Sequence, residues 1–199
     1  MTAPAYADGA PPTDSDGEVV VVGTEPPEEP TEPDLVTPGE GEPDIGDIPP
    51  AGGKLPAPHC DYKRVYTPKA NHGRKHKGVG ATQSNYNGTT RTARSTFISE
   101  VTGEVGVSVT AGLSTSVDAM IGKIEAKYDV ELSAKLTAKL GNNVAVDTPP
   151  KTTTNAKFGV WRLKNTGVSY VIYSNCQGSA KKNITSYSPM KVGWHLWES

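Results

Sequence analysis

Cysteine, histidine and long apolar runs are all scarce in this 199-residue chain, and each scarcity removes a class of function. Two cysteines, Cys60 and Cys176, cannot build a four-ligand zinc site alone. Adding His59, His72 or His76 gives no spacing of a familiar metal motif, so no metal is expected. No apolar run approaches the roughly 20 residues of a membrane-spanning helix. The Gly-x-Ser-x-Gly elbow, the phosphate-binding loop and the His-Glu-x-x-His pair are missing as well. The chain therefore reads as a non-enzyme, and no cofactor is expected.

What little cysteine there is suits a single disulfide. Cys60 opens the compositionally globular part and Cys176 lies near its far end, so a bond between them closes a loop of more than 100 residues. In the chain-entropy view such a closure contributes roughly 4 to 5 kcal/mol. The alternative is two unrelated free thiols.

Charge and proline are present in quantity but unevenly placed. Residues 1–58 hold 13 acidic residues against one basic residue, Lys54, and 13 of the 17 prolines, whereas residues 59–199 hold 9 acidic and 19 basic residues. The whole-chain charge of -2 conceals this division. An extended acidic arm attached to a small basic domain suits holding something at a distance. With few apolar side chains, the arm cannot offset the entropy of ordering and reads as disordered when alone. Proline and like-charge repulsion stretch it, to a contour exceeding roughly 150 Å at about 3 Å per residue.

One segment breaks the pattern. Val19, Val20, Val21 and Val22 are four consecutive β-branched residues in a polar tail, suited to pairing with a sheet edge or filling a cleft. Leu35-Val36 and residues 45–48 repeat the idea more weakly. Near the start, Ala5-Tyr6-Ala7 before Asp8 fits the small-x-small pattern that a signal peptidase accepts. Together with the expected disulfide, this points to a secreted, extracellular protein.

From residue 59 onward the patterning is that of a β-rich domain. In residues 97–109 the odd positions Phe97, Val101, Val105, Val107 and Val109 are apolar against polar even positions, which predicts one long strand. Residues 130–140 alternate in the same way, from Val130 through Leu132, Leu136 and Leu140. Between them Leu113, Val117, Met120, Ile121, Ile124 and Tyr128 recur at helical spacing, and hydroxyls at Ser114 to Ser116 offer caps, predicting a helix over 115–127. Later strands are expected at 156–163 and 168–173, joined by a turn at Asn165-Thr166-Gly167, with shorter ones at 183–187 and 191–197. The fold class is mainly β: an antiparallel sandwich or extended sheet with one short helix, preceded by the acidic arm. Two parts follow, an arm at 1–58 and a globular domain at 59–199.

The basic stretch from Lys63 to Lys77 clusters charge, with Tyr62 and Tyr66 interspersed. Nucleic acid is not the expected partner, because the acidic arm would compete for the patch and secretion argues against it. Trp194 and Trp197 stand three residues apart, on opposite faces of a strand, so both are core residues only if both faces are covered. They join the four valines as candidate partner-binding residues.

The runs Thr96 to Val109 and Lys123 to Ser133, the tripeptide Gly159-Val160-Trp161 and the ending Gly193-Trp194-His195-Leu196-Trp197-Glu198-Ser199 resemble the adaptor subunit of the secreted umbrella toxin particles of filamentous actinobacteria. The likeness covers residues 60–199 in strand pattern and composition, and the arm as a type. It implies a β domain that joins the scaffold of a large antibacterial toxin, with a flexible N-terminal segment docking into a lectin-bearing subunit. The valine island then has a role as docking strand, and no membrane partner is expected. Two other readings stay open. Long Ser- and Thr-rich alternating strands also resemble the inserting region of aerolysin-like β-pore formers, with residues 96–140 as the inserting hairpin. The C-terminal aromatics also suit a cell-surface glycan-binding lectin.

Overall fold

The computed structural model describes residues 19–23, 25–27, 35–36 and 59–199. Two short strands come first, β1 (Val19–Gly23) and β2 (Leu35–Val36), both within the acidic arm. The domain follows with β3 (Lys63–Gly78), β4 (Gln83–Tyr86), β5 (Ala93–Ile98), β6 (Gly103–Gly106), β7 (Ser108–Thr110), α1 (Val117–Tyr128), β8 (Lys135–Ala138), β9 (Asn143–Thr148), β10 (Thr153–Ile172) and β11 (Lys182–Glu198). The fold is mainly β with one helix among the described residues, as the periodicities imply. The rest of the arm, with its reading as disordered, lies outside the described residues, as do Ala5-Tyr6-Ala7 and residues 45–48.

Strands β10 and β11 form a long antiparallel ribbon, in register from Thr154 opposite Glu198 to Ser169 opposite Lys182. On the far edge of β10 lies β3, antiparallel, and β4 continues that edge along residues 153–156. The outer edge of β11 carries β7 at Ser186 and Tyr187 and, further along, β1 in parallel pairing; β2 adds to β7. Two small antiparallel sheets, β5 with β9 and β6 with β8, stand apart from this one.

The ribbon is wide enough to support two cores. Phe158 and Val160 of β10 meet Trp194 and Leu196 of β11, and the small sheets close over them with Phe97, Val105, Ala138 and Val144. Further along, Leu163 and Ile184 meet Tyr66, and α1 closes over them with Met120, Ile121 and Ile124. Alternate residues of a strand face opposite ways, so Val160 and Leu163 present opposite faces of β10. The small sheets therefore cover one face of the ribbon near its C-terminal end, and the helix covers the other face further along.

The helix begins where its sequence provides a cap. Ser116 has extended backbone, and its hydroxyl accepts a hydrogen bond from the Ala119 N–H at 3.2 Å. Asp118 in the first turn and Lys127 in the last complement the helix dipole, and Asp129 ends the helix in the left-handed region with φ 51°.

All six expected strands need correction. The alternating stretch 97–109 is three strands, β5, β6 and β7, each in a different sheet. Ser99 makes the break: its N–H donates to the Asn142 carbonyl and its hydroxyl to the Lys139 carbonyl, which draws the chain into a turn. Apolar parity survives because Phe97 and Val105 serve the first core while Val107 and Val109 serve the second. Residues 130–140 likewise yield only the short β8. Leu132 packs in the second core, Leu136 packs against the first, and Leu140 is exposed.

The turn expected at Asn165-Thr166-Gly167 is absent, and β10 runs through it without interruption. Both neighbours of β10 offer main-chain partners there, so the segment stays extended. Gly167 is small because the Tyr66 ring lies on it: a Cβ would come within 2.5 Å of the Tyr66 Oη. Nor are 183–187 and 191–197 separate strands. β11 passes through Pro189 by bulging out Met190, since Trp161 pairs with Lys191 and Arg162 with Pro189. The reversal between β10 and β11 occurs around residues 173–178, held by Cys176 N–H to the Tyr173 carbonyl and Tyr173 N–H to the Gln177 carbonyl. That reversal carries the disulfide, Cys60 to Cys176, with Cα atoms 5.1 Å apart.

Candidate functional site

Two of the three apolar segments read in the arm, Val19–Gly23 and Leu35–Val36, lie as strands on edges of the domain's own large sheet. The longer one, β1, pairs in parallel with β11: Val19 with Gly193, Val20 with Trp194, Val21 with His195, Val22 with Leu196 and Gly23 with Trp197. Parallel pairing satisfies backbone donors and acceptors of an edge that would otherwise be an open template for other chains. A side-chain anchor continues the contact beyond the strand, where His195 Nε2 lies 3.0 Å from the Glu25 carbonyl oxygen. The imidazole also lies over Gly23, where a Cβ would sit 3.3 Å from Nε2, so a bulkier residue there would press on the ring.

The strand that receives β1 is firmly built on its inner side. Trp194 is 1 % exposed; its indole packs on Phe158 with ring centroids 4.9 Å apart, and its Nε1 donates to Asn142 Oδ1 at 2.7 Å. Leu196 is fully buried beside it. On the opposite face a row of rings runs across three strands. His76 of β3 meets Trp161 of β10 at 4.8 Å, Trp161 meets His195 of β11 at 5.6 Å, and His195 meets Trp197 at 5.8 Å. His76 Nε2 lies 3.3 Å from the Gly193 carbonyl oxygen, which ties β3 across the ribbon to the start of the accepting segment. Among the described residues, Trp161 Nε1 and His195 Nδ1 are buried without a hydrogen-bond partner.

Of the residues singled out by sequence, the four valines supply the paired strand. Trp194 and Trp197 do face opposite ways, but Trp194 belongs to the first core and is withdrawn as a partner-binding residue: its indole is enclosed and its N–H is used internally. Trp197 is half-buried at the end of the ring row, in register with Gly23. Sequence reasoning did not bring His76, Trp161 and His195 together. The spacing of His195 and Trp197 by two on a strand was the available signal, but the match to Trp161 and His76 depends on inter-strand register.

The basic stretch forms β3, an edge strand of the large sheet. Its register slips at His72-Gly73 and again at Lys69, next to Pro68, and it exposes Lys63, Lys69, His72 and Arg74. Charges, bulges and proline are what edge strands carry to discourage further pairing. Lys127 of α1 donates to the Pro68 carbonyl at 2.6 Å, fixing the helix to this edge. Among the described residues no group of three or more His, Cys, Asp or Glu is placed to hold a metal, and no helix is long and apolar enough to cross a membrane. No protein-family model matches the chain, and no curated protein sequence matches it either.

Proposed function

We propose that this chain is a secreted, non-enzymatic adaptor that bridges two larger proteins of an extracellular antibacterial toxin particle. Its β domain binds the toxin scaffold, and its acidic arm docks into a lectin-bearing partner by strand addition through Val19, Val20, Val21 and Val22. The observation that carries the reading is that these valines pair as a strand along a sheet edge while belonging to a long acidic tether. Main-chain hydrogen bonds give such a strand affinity, and the partner's cleft repays the cost of ordering it. The Cys60–Cys176 disulfide supports an oxidising compartment, where such bonds persist.

Full-length chain used as bait in the culture supernatant of its native host tests the reading. Two larger secreted proteins should be recovered in stoichiometric amounts, and deletion of residues 8–30 should lose one of them and keep the other. Recovery of the chain alone would overturn the adaptor. Release of dye from liposomes by the isolated chain would favour the pore-forming reading, and retention on immobilised glycans would favour a lectin.

A further inference from the structure

We infer that the outer edge of β11 along residues 193–197 is a strand-acceptor site, and that its second ligand is the Val19–Gly23 strand of another copy of this chain. The cis strand and the trans strand are the same sequence, so every main-chain pair made within one molecule is available between two. Nothing in the pairing requires the strand to come from its own chain. The two strands are parallel, so no tight turn joins them, and residues 24–59 separate Gly23 from Cys60. The Glu25 carbonyl that meets His195 travels with the strand and would make the same contact in trans.

The edge also needs an occupant. Its inner side is committed to β10 and its underside to the Trp194 core, so removing β1 would leave a rigid, preformed row of donors and acceptors. The cis strand therefore acts as a plug, and exchange is a competition between the tethered strand and a free one. Tethering in cis gives an effective concentration on the order of millimolar, so the closed monomer dominates in dilute solution and arm-exchanged dimers appear when copies are crowded. This inference goes beyond the adaptor reading and does not depend on it, since it involves no second protein species.

The test uses the full-length chain carrying Val21→Pro, which removes a backbone donor and weakens the plug, and a labelled synthetic peptide of residues 16–27 as probe. Peptide should bind the V21P chain saturably at one site, and should bind the wild-type chain at least ~10-fold more weakly because the tethered strand competes. A peptide carrying the same Val→Pro change should not bind either protein. Equal binding to both chains, or no binding to a folded V21P chain, would overturn the proposal. Should V21P fail to fold, light scattering on the wild-type chain decides: dimers growing with concentration toward ~1 mM support exchange, and a monomer throughout that range refutes it.

Discussion

Tyr66 is buried on Gly167, with its hydroxyl 3.5 Å from the Oδ1 of the fully buried Asn165. Burial pushes its phenol above the ordinary value of 10.0, with the Ser186 hydroxyl pulling back against that rise. The folded chain thus holds this proton more tightly than the unfolded chain does. The neutral phenol's contribution is intact below about pH 10 and is lost as pH rises through the higher folded value, because unfolding then releases a proton. Tyr66→Phe should cost about 0.5 to 1.5 kcal/mol at neutral pH, since buried Asn165 loses a polar neighbour. It should also flatten the alkaline limb of stability against pH. Urea unfolding of both proteins from pH 8 upward checks both parts. A limb of the same steepness in Y66F would assign the alkaline loss to other tyrosines.

The two C-terminal tryptophans separate at the same scale. Trp194→Ala should destabilise by about 3 to 5 kcal/mol, because it empties the centre of the first core. Loss of any binding in that variant would report unfolding and not recognition. Trp197→Ala removes a half-buried ring at the sheet's margin and should cost less than half as much when both variants are compared by thermal unfolding. It is therefore the variant with which a glycan-binding or partner-binding role is properly tested.

At the scale of elements, the helix was the most legible feature. Its apolar spacing and cap hydroxyls placed it over 115–127, against Val117–Tyr128 in the structure. Ser116→Ala should lower stability by about 1 kcal/mol, measured by denaturant midpoint at unchanged slope, because the Ala119 N–H loses its acceptor. A change in slope would mean that the helix end also alters the unfolded or native compactness. Strand phase was equally legible, but strand continuity was not. Period two records which way a side chain faces, and two cores on one ribbon let the same phase continue while the chain changes sheets at Ser99 and again at Val107. Asn165-Thr166-Gly167 misled for a related reason. Local turn chemistry yields where two flanking strands satisfy the backbone and a neighbouring ring requires a glycine. The valine strand was visible as a strand in the sequence, whereas its place on β11 depended on a register between residues more than 170 apart.

For the molecule as a whole, the sequence divides charge so that an arm with 13 acidic and one basic residue is tethered to a domain with 19 basic and 9 acidic residues. Main-chain pairing holds β1 to β11, and the opposite charges of arm and domain offer a second attraction that salt can test. Main-chain pairing with β11 is short-ranged and indifferent to salt, whereas attraction between arm and domain extends over a Debye length of roughly 10 Å at 0.1 M salt and shrinks to about 3 Å at 1 M. If the attraction contributes, raising sodium chloride from roughly 0.05 M to about 1 M should loosen the plug without unfolding the domain. The measurement is amide hydrogen exchange resolved by residue. Those amides of residues 193–197 that face β1 should exchange faster at high salt, while amides of residues 158–163 in the ribbon's centre should stay protected at both. Equal acceleration at both places would mean global destabilisation. No acceleration at residues 193–197 would leave strand pairing alone as the force that seats the arm, and salt would then not be a means by which the arm is released to a partner or to a second copy.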